Sequence, residues 1–592
     1  MYNGTGRRLL TALGVAGLLV ATCGPTTSPL PSPTQVGLAT PTLTAVPPTG
    51  VAAAPAVPTA TAAPAPTAAA VAAGPKYGGT LRIRTVQQLV TWDPGRDWTL
   101  VGEASLWMYP RLFSYYRGKP GEPPCNIYPI QPELATGFKW VDDTTLDVTI
   151  RQGIKLPQKP PLNGREADAE DVAFTFNRIF FGSRLSPVQP MAAITESVSA
   201  TDRYTVRFKL KSPHAEYPQV ALSFFDTPVM PPETLTPPGD PKGEYTLDGH
   251  RLGAYGRFRP TNWAPAVSID MERNQDFFVK GLPYLDGVSI KSIPEESTFL
   301  AALRAGRMDS GYTRSSDTID DLKRMADLSY VACPATQSAP AFMNMNRPEF
   351  QDVNVRRAIS MAIDREALNK LVYHGLAKGA YSFSTPALGR QWYMEPEDYP
   401  PEVRRWVTYD VKGAKDLLAK TAYAGGLSTK ILFWPGQSGM GQTAEALSGM
   451  LGEIGIKLRL ETLTNAEYQA VVGGYPWDKP DTRHTGFLMG LASWTAVDDI
   501  YQYAYSKSNR NRSVIKDPRV DQMIEEQRRT LDESKRQKVL KDLQTYIVDQ
   551  MYVLPLPIGP HAEVHLPSVK GIYFKTYGYY DGESMRDVWL DR

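Results

Sequence analysis

The chain has 592 residues, more than a single hydrophobic core usually organises, so we expect two or more domains. Its 64 lysines and arginines nearly balance its 62 aspartates and glutamates, which argues against a nucleic-acid-binding surface and against an acidic tail. Its 11 tryptophans and 30 tyrosines are suited to gripping organic ligands, although core packing must account for most of them.

The first residues have the pattern of a bacterial export signal. Two arginines precede an apolar run over 9–21, which has the length of a signal-peptide core and is short for a membrane span. The run leads into Thr22 and Cys23 in a sequence that resembles a lipobox, although Thr22 replaces the usual Gly, Ala or Ser. We therefore expect a lipoprotein signal peptide over 1–23 and a lipid on Cys23.

Residues 24–75 form a linker by composition. They are rich in proline, alanine and threonine, contain no charged residue and lack the apolar periodicity that would offset the entropy of ordering. A proline-rich tether extends by about 3.1 Å per residue. A disordered stalk of this kind after a lipidated cysteine predicts a folded body outside the cytoplasm, anchored to the cell membrane in the periplasm or at the outer face.

The folded body begins with strands and a helix. Residues 77–83 read as a turn and a strand, and 146–150 alternate between apolar and polar residues as a half-buried strand does. Acidic residues in a first turn predict a helix over 169–178. Further strands are predicted over 202–210 and at the start of 269–278.

The most informative segment is 342–368. It is an extended run that breaks at Pro348 and continues as a helix that Asp352 can cap. One stripe at helical spacing contains Val355, Ala358, Ile359, Ala362 and Ile363. The polar residues left for the other faces are Arg356, Arg357, Asp364 and Glu366. The pattern predicts one helix with one buried face.

The remaining elements suggest a second α/β body. Asp410 can cap a short amphipathic helix, and 431–460 reads as strand, helix and strand, which favours a parallel sheet. A charged amphipathic helix is predicted over 528–548, and 552–556 is a buried-type run.

The segment around Pro348 resembles the signature helix of solute-binding protein family 5, the dipeptide- and oligopeptide-binding lipoproteins of ABC importers. The residues that carry this resemblance are Asn346, Pro348, Phe350, Asp352, Val355, Arg356, Ala358, Ile359, Ala362, Ile363, Asp364 and Arg365. Further matches occur in the family's order from residue 76 to residue 592, with a weaker one at 253–258.

The resemblance implies an α/β, two-lobed periplasmic-binding-protein-like fold of the large type II class, with mixed sheets joined by hinge strands. Lobe I is expected over 77–315 and 546–592, with an extra subdomain at about 110–200, and lobe II over 316–545. Such a protein is an extracytoplasmic, monomeric component that needs no cofactor. It captures a small solute, which the resemblance implies is a peptide, between two closing lobes and delivers it to a membrane permease.

The resemblance also places a ligand-binding loop after residue 490. In peptide-binding members a tryptophan is followed three residues later by an aspartate that pairs with the ligand's α-amine. Here Trp494 is followed by Val497, so Asp498 or Asp499 would have to take over that pairing. Otherwise the ligand is a sugar, a metal chelate or another small molecule, or Trp494 is a core residue and both aspartates are solvated.

Three patterns of possible catalytic chemistry favour plain structure. Residues 436–443 have phosphate-loop spacing, but Gln442 stands where the lysine is needed, which favours a strand-to-helix turn. His561 and His565 flank Glu563, but nearby prolines favour a surface strand over a metal pair. Glu295–Glu296 and Asp498–Asp499 are adjacent carboxylates, which on a strand face opposite ways and give no ready acid and base.

These patterns leave us expecting no catalytic and no metal-binding residues. An extracytoplasmic hydrolase, or a sensor or scaffold, remains an alternative on the same two-lobed cleft. Cys125 and Cys333 either form a disulfide or remain two buried thiols.

Overall fold

A computed structural model gives the fold of the protein from residue 74 to residue 592. Within this range the structure describes all residues except 87–99, 116–129, 183–188, 224–226, 236–246, 326, 335–336, 339, 380, 383, 437–438, 473–482, 491, 494–496 and 573–586. Predictions for the signal peptide, the linker, Cys23, Cys125 and Trp494 therefore lie outside the described residues. Within the described part, every helix is too short or too polar to cross a bilayer.

The described strands are mostly short. They are β1 Thr80–Thr85, β2 Phe113–Tyr115, β3 Ile130–Pro132, β4 Ala135–Asp142, β5 Thr145–Ile150, β6 Thr195–Asp202, β7 Thr205–Leu210, β8 Phe258–Ala264, β9 Ser268–Arg273, β10 Gly287–Ser292, β11 Ser310–Thr313, β12 Ser329–Pro334, β13 Gln337–Ser338, β14 Ala341–Met343, β15 Leu427–Phe433, β16 Ile456–Thr462, β17 Phe487–Met489, β18 Ala492–Ser493, β19 Val553–Leu554, β20 Pro560–His565, β21 Val569–Lys570 and β22 Trp589–Leu590.

The described α-helices lie between these strands. They are α1 Leu100–Met108, α2 Ala169–Asn177, α3 Gln189–Ile194, α4 Leu247–Gly253, α5 Glu296–Arg304, α6 Ser316–Lys323, α7 Pro348–Gln351, α8 Val353–Met361, α9 Arg365–Tyr373, α10 Pro401–Arg404, α11 Val411–Leu418, α12 Met440–Gly452, α13 Asn465–Val472, α14 Val497–Tyr501, α15 Pro518–Arg529 and α16 Glu533–Gln550. Short 3-10 or π-helical turns occur at Arg178–Gly182, Pro218–Leu222, Pro232–Thr234, Pro386–Leu388, Pro396–Asp398 and Arg405–Val407.

The first body, lobe I, is built on a seven-stranded mixed sheet in the order β12-β20-β11-β1-β10-β9-β8. β1 runs parallel to both β10 and β11, whereas β20 is antiparallel to both of its neighbours. Leu81 and Ile83 of β1 are buried, as their alternation with polar residues predicts.

A four-stranded antiparallel sheet in the order β4-β5-β7-β6 extends lobe I. Leu146 and Val148 of β5 share a hydrophobic core with β1, so the two sheets belong to one packed body. Helix α2, which packs against β6, begins at Asp168 with a capping box whose second member is Asp171, confirming the helix predicted from acidic first-turn residues.

The second body, lobe II, is built on a five-stranded sheet in the order β16-β15-β17-β14-β19. β15 and β16 are parallel and joined by α12, which confirms the strand, helix and strand predicted over 431–460. Gly439 adopts a φ of +76° immediately before α12, so the glycine-rich segment is the predicted strand-to-helix turn.

The family-like segment forms three helices, not the one continuous helix that the pattern predicts. Asp352 caps α8 as expected, but the chain leaves the helix after Met361, and Asp364 caps α9. The predicted stripe is nevertheless fully packed in the core of lobe II: Val355, Ala358, Ile359, Ala362 and Ile363.

Arg356 and Arg365 of this segment are also buried, although the pattern left Arg356 for a polar face. Arg356 Nε donates to the main-chain oxygen of Gln550 at 2.9 Å, and Arg365 Nε donates to that of Pro555 at 3.1 Å. The two guanidinium groups therefore fasten the end of α16 and the chain that follows it to α8 and α9.

Among the described strands, the chain passes between the two large sheets twice. It crosses between β12 and β14 and returns between β19 and β20. The charged helix predicted over 528–548 is interrupted, because α15 ends at Arg529 and Asp532 caps α16. The lobe limits inferred from the sequence stay a prediction.

Candidate functional site

The predicted ligand-binding loop lies beside one of these crossings. β18 pairs antiparallel with β13, which brings Ser493 opposite Gln337 and Ala492 opposite Ser338. Trp494 follows β18 in the sequence but lies outside the described residues, and so does the side chain of Asp499. Their roles in ligand binding remain predictions.

Val497 begins the short helix α14 and is buried in the core of lobe II. Its side chain is 3 % exposed and belongs to a cluster with Phe342, Tyr501 and Tyr503. The position three residues after Trp494, where the resemblance predicts an aspartate, is thus a core residue here.

Asp498 is held by a bidentate ion pair with Arg528. Its two carboxylate oxygens accept from Arg528 Nε at 2.8 Å and from Nη2 at 2.9 Å. Gln527 donates to one oxygen at 2.6 Å and Gln502 to the other at 3.0 Å. The carboxylate is 1 % exposed, so its charge is already balanced inside the protein.

Burial alone would raise the pKa of the Asp498 carboxyl. The guanidinium of Arg528 and the nearby ring of His214 outweigh that effect, and the pKa lies well below its usual value. Asp498 therefore remains ionised. A ligand ammonium could pair with it only if the ion pair between Asp498 and Arg528 were broken.

Two side chains of lobe I reach this part of lobe II. Glu216 accepts from the main-chain N–H of Val497 at 3.2 Å and from that of Asp498 at 2.7 Å. Its carboxylate also pairs with Arg536 of α16 at 3.1 Å. His214 Nε2 lies 3.6 Å from Asp498 Oδ2.

We call His214, Glu216, Asp498, Arg528 and Arg536 the inter-lobe charge cluster. A main-chain hydrogen bond of 2.7 Å from Ala215 N to Arg528 O runs alongside it. Of the five, only Asp498 stands out in the sequence. The others carry no local motif, and the hydrogen bond between Glu216 and Asp498 joins positions 282 residues apart.

The other charged patterns have structural roles. His561, Glu563 and His565 lie on β20 as predicted, but the strand sits inside the seven-stranded sheet rather than at the surface, and His561 stacks on Tyr312. Burial, reinforced by Arg314, holds the pKa of His561 well below its usual value. No cluster that could hold a metal ion occurs among the described residues.

The two remaining patterns are equally structural. Glu296 begins α5 and pairs with the buried Arg84 at 3.0 Å. Cys333 is disulfide-bonded, so it is not a free thiol. The sequence left a disulfide with Cys125 and two buried thiols as alternatives, and the pairing with Cys125 stays a hypothesis because Cys125 lies outside the described part of the chain.

Comparison with known proteins identifies the architecture. The model of a family described as "Bacterial extracellular solute-binding proteins, family 5 Middle" matches residues 129–513. The glutathione-binding protein GsiB of Salmonella paratyphi A is 23 % identical over 445 residues, which cover 74 % of this chain and 83 % of that protein.

Solved structures show the same fold. The periplasmic binding protein DppA of Helicobacter pylori, in complex with the peptide STSA, superposes with a TM-score of 0.71 at 22 % identity, covering 87 % of this chain and 99 % of that one. AgaA of A. tumefaciens R10, in complex with agropinic acid, has a TM-score of 0.70 at 20 % identity, with coverage of 87 % and 99 %. Both neighbours confirm the two-lobed α/β fold that the sequence predicts.

Proposed function

This chain belongs to the bacterial extracellular solute-binding proteins of family 5, and on that basis we propose that it is the substrate-binding component of an ABC importer. It captures a small solute outside the cytoplasm and delivers it to a membrane permease. The observation that carries the proposal is the family match over 129–513, which includes β12 to β18 and the first crossing between the sheets.

The two crossings support capture by lobe closure. Among the described strands, the chain passes between the large sheets at the connection from β12 to β14 and at the connection from β19 to β20. A small change of backbone angles at these connections can rotate one lobe against the other. A solute that contacts both lobes binds the closed state more tightly than the open state and shifts the population toward closure.

Peptides are the first ligand class to test. GsiB is named for glutathione and the DppA structure contains a peptide, whereas AgaA contains agropinic acid. Val497 is buried, and the charge of Asp498 is balanced by Arg528. Asp499 is therefore the aspartate of this loop that we propose to pair with a peptide amine, with Trp494 stacking on the ligand.

We further propose a lipid anchor on Cys23 and a stalk over 24–75 that holds the body away from the membrane. The relatives are named for binding and not for catalysis, and we propose a binding role for this chain too. A hydrolase or a scaffold is the alternative outcome of the following test.

The test is a thermal-shift screen of residues 76–592, freed of co-purified ligand, against short peptides including glutathione, opines, oligosaccharides and chelated metals. A ligand at 100 times its dissociation constant adds about 2.7 kcal/mol to the free energy of unfolding. We expect stabilisation by one chemical class and its loss in Trp494→Ala, with Trp434→Ala as a tryptophan control elsewhere in lobe II. A blank screen, or solute turnover, would overturn the proposal.

A further inference from the structure

The inter-lobe charge cluster joins two bodies that otherwise have separate cores. His214 and Glu216 stand just before Tyr217, whose ring packs on Phe208 of β7 and whose hydroxyl lies 2.8 Å from that of Thr195. The segment that supplies these two side chains is therefore anchored in lobe I.

The partner residues are anchored in lobe II. Ile524 of α15 and Leu540 of α16 belong to the hydrophobic cluster of Phe342, which lies on β14 of the five-stranded sheet. Each contact from His214 or Glu216 to α14, α15 or α16 is thus a contact between lobes.

Burial makes these contacts conditional on the arrangement of the lobes. The side chains of His214, Glu216, Asp498 and Arg536 are 2 %, 8 %, 1 % and 8 % exposed. Moving lobe I away from α14 and α16 would bring water to Glu216 and Arg536, so the burial of the cluster depends on the arrangement of the lobes described here, which we call closed.

We propose that the cluster is a latch that holds the two lobes closed, and that Glu216 positions the start of α14 from the opposite lobe. The inference deepens the proposed function, on which it rests, by assigning residues that control closure. The latch populates the closed arrangement before any solute binds, and it couples the backbone at Val497 and Asp498 to closure.

Replacing one member of the pair of Glu216 and Arg536 should open the lobes more than replacing both members. Removing one member of a buried pair leaves the other charge unpaired in the closed state, whereas the open state hydrates that charge at little cost. Glu216→Gln therefore favours opening. Replacing both members, in Glu216→Gln with Arg536→Gln, removes the unpaired charge and restores part of the closed population.

The test measures the distance between lobes in the absence of added solute. Spin labels on non-natural amino acids at Val267 of lobe I and Lys412 of lobe II avoid the native cysteines, and both side chains are exposed, at 59 % and 89 %. We expect a closed-distance population in the unmutated protein, about a tenfold lower ratio of closed to open in Glu216→Gln, and partial recovery in the double variant.

The matched control is Asp171→Asn. Asp171 is 2 % exposed and pairs with Arg165 at 2.5 Å entirely within lobe I, so its loss should lower the melting temperature and leave the distance distribution unchanged. The proposal is overturned if the unmutated protein has no closed-distance population, or if Glu216→Gln, like Asp171→Asn, leaves the distance distribution unchanged.

A second measurement covers the case in which Glu216→Gln fails to fold. Glu216→Asp keeps the charge but shortens the reach, so hydrogen exchange at the amides of Val497 and Asp498 should accelerate; unchanged protection contradicts the positioning role. Neither the distance measurement nor the hydrogen-exchange measurement uses a solute. A blank ligand screen would therefore count against the proposed function, whereas these two measurements alone decide whether the cluster is a latch.

Discussion

Ionisable residues in the interior of this protein are stabilised by specific partners. Arg365 is 3 % exposed and, besides Pro555 O, donates to the main-chain oxygen and the hydroxyl of Ser360. Burial lowers the pKa of Arg365 to about 10, and the group remains charged at neutral pH. Such residues fix geometry more than they add net stability, since desolvation offsets much of the attraction.

Asp498→Asn should destabilise the protein and weaken its response to acid. At neutral pH the variant leaves Arg528 buried without its counter-charge, a loss of about 3 kcal/mol or more in the free energy of unfolding. Because the folded-state pKa of Asp498 is lowered, its contribution is present above about pH 4 and disappears as the pH falls through the folded-state value. Urea unfolding between pH 3 and pH 7 checks both effects. If the free energy of unfolding fell equally at low pH in the variant and in the parent, Asp498 would not have the lowered pKa.

His484→Gln should flatten the pH dependence of stability at mildly acidic pH. Burial lowers the pKa of His484 from 6.5 to about 4, so unfolding takes up a proton and stability falls as the pH drops from 6.5 toward 4. The shift corresponds to about 3 kcal/mol over that window. Glutamine can keep the hydrogen bond that Nε2 of His484 donates to the main-chain oxygen of Arg512. If the free energy of unfolding of the variant depended on pH as steeply as that of the parent, His484 would not be a neutral buried histidine.

At the scale of single elements, aspartates cap the starts of six described helices. Asp168, Asp352, Asp364, Asp410, Asp517 and Asp532 each accept a main-chain N–H at the start of a helix. The caps explain why both predicted long helices are broken, since a capping aspartate requires extended backbone and ends whatever helix precedes it.

Asp364→Ala tests the cap that separates α9 from α8. Losing the bond to the amide of Ala367, 2.8 Å long, should reduce the free energy of unfolding by about 1 kcal/mol. Lys370→Ala, which removes only an exposed pair with Glu366 on the same helix, should cost about 0.5 kcal/mol or less. Chemical denaturation distinguishes the two; equal losses would mean that the cap contributes little.

Local patterns predicted the elements well and the long-range contacts poorly. The stripe from Val355 to Ile363, the cap at Asp410 and the parallel pairing of β15 with β16 follow from spacing alone, and all three are present. The buried position of β20 and the partners of Asp498 depend on distant parts of the chain, which periodicity does not report.

At the scale of the whole molecule, the described part of the chain connects two cores through the two crossings between the large sheets and through the buried inter-lobe charge cluster. Calorimetry of Glu216→Gln should therefore show weaker coupling between the lobes. We expect a broader or double transition, with a calorimetric enthalpy that exceeds the van't Hoff enthalpy by more than in the parent. Asp416→Asn, at an exposed pair with Lys412, is the control and should leave the transition shape unchanged. A shift in melting temperature with no change in shape would count against coupling through the cluster.

The position of β20 also has a consequence for folding order. β20 separates β11 from β12, and its Glu563 accepts a hydrogen bond from Ser310, 253 positions earlier in the chain. During synthesis every strand of the lobe II sheet emerges before β20, so that sheet can form while the larger one still lacks an inner strand. High contact order makes such a step slow. Completion of the seven-stranded sheet should accordingly limit the rate of folding, leaving the edges of β11 and β12 unpaired until it occurs.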